Sequence, residues 1–294
     1  MKILVYGSLN IDSTFILDHI VVPGETLASA GFRKNAGGKG ANQAAAIAKA
    51  SNGKNVYFAG KTGFDGEWVL EKLRGFGLDT HYVGHSDSGT GQAIIQLDNE
   101  GQNSIILYGG GNLENKTCEM DRVLSDFGKD DILVINGEIN NLSYLFDRAS
   151  EKSMKICINP SPVTDEVLAL PLEKAWLLIV NEIEGAAISR MGNEKDYEQI
   201  LSALVRKFPM TEIVLTAGKF GSYYGFKDIV AYVPAFETKA VDTTCAGDTF
   251  LGYFIACRAE GKSVRQSLET AAKASSITVS RAGAMDSIPF VSEL

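Results

Sequence analysis

The 294-residue sequence predicts an α/β fold: a mainly parallel central sheet with helices on both faces, plus a small separate β-sheet. Two observations predict it. Short, nearly all-apolar strand candidates alternate with helical stretches, the pattern of a sheet buried on both sides. Residues 13–35 and 89–108 break that alternation with strand-like runs and no helix. The length suits one large α/β domain or a domain with an insertion.

The elements follow in order. Lys2–Gly7 reads as the first strand, and an Ala-rich helix spans about Lys39–Ala50, stopped by Asn52-Gly53. Strand Val56–Gly60, helix Gly66–Gly75 and a strand through Thr80–Gly84 come next. Gln92–Leu97 and Asn103–Tyr108 are strands joined by Asp98-Asn99-Glu100-Gly101, a hairpin turn. The second half is more regular: strand Ile132–Asn136, helix Leu142–Glu151, strands Lys155–Asn159 and Ala175–Val180, helices Glu184–Arg190 and 195–208, and strand Glu212–Thr216. An alternating run, Ile229–Val233, precedes a helical stretch from Thr249 to Ala256. The expected division is a core of residues 1–12, 36–88 and 109–294 with a β lid of 13–35 and 89–108.

A formal net charge of −8 argues against nucleic-acid and anionic-membrane partners. No apolar run reaches bilayer length. Lys2–Gly7 is too short for a signal-peptide core, so the expected location is cytoplasmic. Cys118, Cys157, Cys245 and Cys257 lie far apart and read as reduced thiols. His81 and His85 have metal-ligand spacing only on a helix; their surroundings read as strand, so they are taken as surface side chains.

Residues 241–250, Val-Asp-Thr-Thr-Cys-Ala-Gly-Asp-Thr-Phe, carry the most chemistry. Small residues at a helix start let backbone N–H groups approach an anion, and the helix dipole adds attraction. Asp248 sits at that start, and an acid beside an anion cradle suggests a base for attack on phosphate. Asn35-Ala36-Gly37-Gly38-Lys39-Gly40-Ala41-Asn42-Gln43 is glycine-rich but not a P-loop: no Gly stands five residues before Gly38, and Gly40 follows Lys39. Lys39 and Asn42 supply donors, while Asn10 and Asp12 add donor and acceptor, a mixture suited to a polyhydroxylated ligand.

Together these stretches resemble the ribokinase family, the phosphofructokinase-B type of sugar kinase. Gly37–Gln43 is similar to the first family signature and Asp242–Phe250 to the second. Asn181-Glu182-Ile183-Glu184 resembles the family's Asn-x-x-Glu, and Thr216–Gly221 its Thr-x-Gly-x-x-Gly. The match is ordered along nearly the whole chain.

The resemblance implies a ribokinase-like fold and the following roles. Asn10, Asp12, Gly38, Lys39, Asn42 and Glu138 would hold the sugar, with Ala93 and Ile105 closing over it from the lid. Asn181 would serve ATP, and Glu184 would organise Mg²⁺ through water. Thr216, Gly218 and Gly221 would line ATP. The amides of Cys245, Ala246, Gly247 and Asp248 would form an anion hole, and Asp248 would be the catalytic base. A potassium site would gather Asp242, Thr244, Thr278, Arg281, Gly283 and Ser287. Thr270–Ser276 would border the adenine. The implied partners are a small sugar and ATP, with a homodimer through the lid. Gly-Gly-Lys-Gly-Ala-Asn-Gln favours ribose, phosphorylated at its 5-hydroxyl. A kinase of another sugar (deoxyribose, fructose, a keto-deoxy sugar acid) or of a nucleoside, and a non-catalytic sugar-binding regulator, are the alternatives.

Overall fold

The computed structural model describes residues 1–192 and 196–294. The chain opens with β1 (Ile3–Tyr6), β2 (Asn10–Ile16) and β3 (Gly31–Gly37), then α1 (Lys39–Ser51), β4 (Val56–Thr62), α2 (Glu67–Gly75), β5 (Asp79–His85), β6 (Gly91–Leu97) and β7 (Asn103–Tyr108). It continues through α3 (Thr117–Leu124), β8 (Ile132–Asn136), α4 (Leu142–Glu151), β9 (Lys155–Asn159), α5 (Asp165–Leu168), β10 (Leu177–Asn181), α6 (Glu182–Ser189) and α7 (Tyr197–Lys207). It closes with β11 (Glu212–Thr216), β12 (Ser222–Phe226), β13 (Ile229–Val233), α8 (Ala246–Ala259) and α9 (Val264–Val279).

The large sheet runs β13-β12-β11-β10-β9-β8-β1-β4-β5. It is parallel from β5 to β11, with β12 and β13 antiparallel at one edge. Successive side chains of a strand point to opposite faces. Ile3 and Val5 of β1 therefore pack with α1, α2, α8 and α9, while Leu4 and Tyr6 pack with α3, α4, α6 and α7. All four are buried, which is why the strand reads as a continuous apolar run.

Most predicted elements recur with small boundary shifts. The helix expected from Glu184 starts at Glu182, because the Asn181 side chain accepts from Glu184 N and caps it. The helix expected over 195–208 is seen as Tyr197–Lys207, capped by Asp196; residue 195 lies outside the described residues. The strand expected at Ala175 starts two residues later, after a short turn over Leu172–Lys174. Four elements were not anticipated: α3, α5, β12 and α9.

The smaller sheet has the order β3-β2-β6-β7, with the predicted hairpin forming β6 and β7. It reaches further than residues 13–35 and 89–108. Asn10 pairs with Gly37, and Asp12 with Asn35, so residues 10–12 and 36–37 are strands of this sheet. One continuous ladder thus carries β2 from the core edge outward, which places Asn10 and Asp12 at the junction.

Helices α1 and α8 pack almost backbone to backbone. A Cβ on Gly252 would lie 2.3 Å from Ala46 Cβ, so only glycine admits this approach. Ala44, Ala45 and Ala46 are fully buried on the facing helix. The close contact brings the starts of α1 and α8 together.

Candidate active site

The start of α1 is pressed onto the segment before β2. A Cβ on Gly40 would meet Ser8 N at 2.5 Å, and one on Gly37 would meet Asp12 Oδ2 at 2.0 Å. The glycines are therefore there to let Asp12 and the helix start share one space. Glu138 closes this corner: its Oε2 accepts from Lys39 N at 3.1 Å and from the Ser8 hydroxyl. Ser8 Oγ in turn accepts from Gly40 N at 3.2 Å. Burial pushes the Asp12 carboxyl up to about 7, and the nearby Glu138 charge adds to it. Burial alone would lower the Lys39 ammonium, but Asp248, Glu138 and Glu184 outweigh it and hold its pKa above the ordinary value. One cation thus stands within electrostatic reach of three carboxylates.

Asn10 is buried, and its Oδ1 accepts from Asn112 Nδ2 at 2.7 Å. Asn112 Oδ1 accepts from Leu9 N at 2.9 Å, so Asn112 fixes the turn into β2. Asn112 was not foreseen; a lone Asn in a loop carries no sequence signal. On the smaller sheet, Ala93 stands beside Asp12 in register and is buried. Ile105 pairs with Ile95, two positions further out, and is 51% exposed.

The start of α8 holds the second group. Cys245 is the N-cap residue, with φ of 68°, and supplies no side-chain cap. Thr249 N makes the bond back to Cys245 O at 2.8 Å. Among the described residues, the amides of Cys245, Gly247 and Asp248 close no backbone hydrogen bond outside regular elements, whereas Ala246 N donates to Thr243 O at 3.3 Å. These are the free donors expected at a helix N-terminus, with Ala246 partly committed. The thiol of Cys245 is buried, and burial raises its pKa well above the ordinary value.

Asp248 is buried in the first turn of α8 and faces α1. Its Oδ1 accepts from Gln43 Nε2 at 3.0 Å and its Oδ2 from Asn42 Nδ2 at 3.4 Å. Burial raises its pKa; Lys39 and the two amides oppose this without cancelling it. Gln43 Nε2 also reaches Asn159 Oδ1 at 3.2 Å, and Asn159 Nδ2 reaches Glu184 Oε2 at 3.3 Å. Glu184 Oε2 further accepts from Asn181 N at 3.0 Å, while Glu184 N donates to Asn181 Oδ1 at 2.8 Å. Asn136, Asn159, Asn181 and Thr216 end β8, β9, β10 and β11, the carboxyl edge where parallel sheets place their ligands. Gln43 and Asn159 escaped the site prediction, since each gains its partner only through the tertiary fold.

A cavity of about 910 Å³ opens on the other side of the α8 start. Its walls include Thr216, Gly218, Gly221, Gly247, Phe250 and Ser275. Ala272 and Ser276 also line it, so the stretch 270–276 does border this space. The predicted nucleotide residues Thr216, Gly218 and Gly221 converge here; Asn181 is not among the lining residues.

The last predicted group lies behind α8. Asp242 Oδ1 accepts from Thr244 N at 2.9 Å and Oδ2 from Gly283 N at 3.1 Å. These bonds outweigh burial and hold its carboxyl below the usual range. Thr278 and Ser287 are buried; Thr278 Oγ1 lies 3.0 Å from Thr249 Oγ1, and Ser287 Oγ donates to Ala284 O at 2.7 Å. The Arg281 guanidinium, itself a cation without an acceptor atom, pairs with Glu293 at 2.7 Å; the candidate ligand at this position is its carbonyl. An all-oxygen set of carboxylate, hydroxyl and carbonyls suits a hard cation. Glu184 offers a carboxylate oriented by Asn159 and Asn181, which suits water-mediated Mg²⁺. No group of three or more His, Cys, Asp or Glu able to hold a metal occurs among the described residues. No helix among them is long and apolar enough to cross a membrane.

The family model described as pfkB family carbohydrate kinase matches residues 1–290. The ribokinase of Staphylococcus aureus is 31% identical, over all of this chain and 98% of that protein. The bifunctional ribokinase/ribose-5-phosphate isomerase A of Fructilactobacillus sanfranciscensis is 34% identical over 98% of this chain, which spans 54% of that longer protein. Among solved structures, Cryptococcus neoformans var. grubii ribokinase in complex with ADP aligns over 99% of this chain and 98% of its own. Its TM-score is 0.86 and its identity 33%.

Proposed function

Because the chain belongs to the pfkB family of carbohydrate kinases, we propose that it transfers the γ-phosphoryl group of ATP to the 5-hydroxyl of D-ribose. The observation that carries this reading is the placement of Asp248. Its buried carboxylate lies at the α8 start, gripped by Gln43 and Asn42, with Lys39 and Glu138 in electrostatic reach. The ribokinase similarity over the full chain supports ribose as the acceptor.

Phosphoryl transfer demands alignment and charge cancellation more than covalent help from the protein. Asp12, Glu138, Lys39, Asn10 and Asn42 would bind the sugar hydroxyls, the carboxylates accepting and the amides and ammonium donating. Asp248 would orient the attacking hydroxyl and accept its proton late, because a carboxylate is too weak a base to ionise an alcohol in advance. The free amides at the α8 start, with the helix dipole, would hold the negative oxygens as charge redistributes. Lys39 adds a positive charge beside them. Mg²⁺, held through water by Glu184 and Asn181, would neutralise phosphate charge. K⁺, held by Asp242, Ser287 and the carbonyls of Thr244, Thr278, Arg281 and Gly283, would stiffen the loop that carries the anion hole.

The cavity lined by Thr216, Gly218, Gly221 and Phe250 is the proposed nucleotide site. Sheet β3-β2-β6-β7 would cover the sugar and exclude water, which competes as phosphoryl acceptor. Its outer residues Ile106, Leu107 and Tyr108 are at least half exposed, which supports a homodimer through the lid. Three of the four cysteines are buried and all are unpaired, consistent with a proposed cytoplasmic site of action.

A coupled ADP-release assay over ribose, deoxyribose, fructose, a keto-deoxy sugar acid and nucleosides tests the reading. Ribose should show the highest kcat/KM. A higher value for another acceptor would overturn ribose. Tight sugar binding without turnover would overturn the kinase and leave a binding protein.

A further inference from the structure

The Gln43 side chain is fully buried and its Nε2 meets two acceptors, Asp248 Oδ1 at 3.0 Å and Asn159 Oδ1 at 3.2 Å. A primary amide nitrogen carries two hydrogens, so this donor is fully used. The orientation is also determined: turned over, the amide would set Oε1 against a carboxylate. Gln43 Oε1 is itself buried without a hydrogen-bond partner among the described residues. Nothing about sugar binding alone requires that arrangement.

We propose that Gln43 is a positioning residue for the transfer step, resting on the kinase reading above. It occupies Oδ1 of Asp248, so Oδ2, which has only the longer 3.4 Å contact from Asn42, is the oxygen left to receive the hydroxyl proton. As the sugar oxygen bonds to the γ-phosphorus, its proton passes to Asp248 Oδ2. The bond from that phosphorus to the bridging oxygen breaks, and the electron pair leaves on ADP. Through Asn159, the same amide ties the base to Glu184. A neutral amide performs this without adding charge to a corner that already holds Asp248, Glu138, Asp12, Glu184 and the Lys39 ammonium. Cys245, the other titratable group near Asp248, is a buried thiol kept protonated.

Gln43→Met keeps the volume and removes the donor. In the ADP-release assay, kcat should fall at least about tenfold while the ribose KM stays within about threefold, the signature of an interaction used in the transition state. Losing a hydrogen bond to the charged carboxylate raises the pKa of Asp248, so the acid limb of the kcat profile should move up by about one pH unit. Gln43→Glu keeps the shape and adds a like charge, and should move that limb further in the same direction; it serves if the methionine variant fails to fold. An unchanged kcat, or kcat and KM altered with an unmoved acid limb, overturns the assignment. A native enzyme without turnover on any acceptor would overturn the kinase reading and the assignment with it, and that outcome is seen before any variant is made.

Discussion

Lys49 Nζ donates to the carbonyl of Met285 at 2.9 Å, across 236 positions of sequence. The same ammonium reaches Ile288 O at 2.8 Å and sits 4.3 Å from the Phe76 ring and 4.9 Å from the Phe290 ring. Helix α1, which begins beside Glu138, is thereby bolted to the 283–288 segment that faces Asp242. Lys49→Met leaves two buried carbonyls unpaired and should cost about 2–3 kcal/mol at pH 7. Burial lowers the Lys49 pKa to about 8. The folded protein therefore loses this proton near pH 8, whereas an unfolded chain keeps it to about 10.4. Between these values the unfolded state binds more protons, so the group contributes stability that rises with pH. Urea unfolding at pH 7 and 9.5 should show the penalty of the substitution growing at the higher pH. A penalty independent of pH would contradict it.

Asp12 has the opposite sign. Its folded pKa, raised to about 7, means the folded state holds a proton that the unfolded chain gives up near pH 4. Its contribution to stability is thus lost as pH rises through that window. Asp12→Asn should stabilise the sugar-free protein by on the order of 2 kcal/mol at pH 8, a rise of several degrees in Tm, and by little at pH 4.5. It should also weaken ribose binding at least about tenfold, since an acceptor for hydroxyls is replaced. In the native protein, ribose affinity should climb between pH 6 and 8. Thermal scans and sugar titration across pH measure both effects.

The legibility of the site divides along the same physical line as these two lysine and aspartate positions. Lys39 and Asp248 sit in runs of small residues that already speak of a ligand cradle at a helix start, and Asp12 stands out with Asn10 as a donor–acceptor pair suited to hydroxyls. Lys49, Asn112 and Asn159 have no such setting, and Gln43, although it ends the glycine-rich run, shows no role there: each matters because the fold brings a partner from at least 100 positions away. The fold shows the same contrast. The β1 and β8 strands announce themselves as apolar runs, whereas α9 is built largely of Ala, Ser and Thr, which give weak periodicity. Strand β12, Ser-Tyr-Tyr-Gly-Phe, is interrupted by Gly225, which sits where Leu201 and Val205 of α7 press on the sheet. The close α1–α8 contact at Gly252 likewise emerges only in three dimensions.

Replacing Asp248 with Asn keeps the shape and the hydrogen-bonding reach but removes the proton acceptor. The expected fall in kcat is about a thousandfold, within the range for loss of a general base. Ribose affinity should change by less than about fivefold, because the hydroxyl contacts come mainly from Asp12, Glu138 and α1. Removing a buried charge should leave Tm equal or higher. Initial rates, isothermal titration and a thermal scan cover the three parts; a kcat within about tenfold of native would refute the base assignment.

Cys245 combines a left-handed backbone with a buried thiol: its φ is 68° and its side chain 8% exposed. A non-glycine residue in that region carries strain of about 1 kcal/mol or more. Cys245→Gly should therefore keep kcat within about threefold and leave stability within about 1 kcal/mol, strain relief offsetting lost burial. Cys245→Val should damage both, since a β-branched residue is least tolerant of positive φ. Burial also keeps the thiol protonated, and a thiol, unlike a thiolate, reacts slowly. Brief alkylation of the native protein, followed by mass spectrometry, should label exposed Cys118 and spare Cys245.

Asp242 lies behind the turn that opens α8, and its two oxygens hold amides from both sides, Thr244 and Gly283. Those donors keep its carboxyl ionised below the usual range, so its charge persists throughout pH 5–8. A cation bound by this carboxylate would act on the Thr244–Cys245 turn, and so on the free amides of Gly247 and Asp248, without touching substrate. Exchanging Na⁺ for K⁺ should raise kcat several-fold, as it acts on transition-state charge rather than on sugar contacts. Asp242→Ala should abolish that stimulation and leave ribose affinity within about twofold. The stimulation should hardly vary from pH 5.5 to 8, because the carboxylate is ionised throughout. Equal rates in Na⁺ and K⁺ would count against the cation site, and stimulation that survives in Asp242→Ala would place the cation elsewhere.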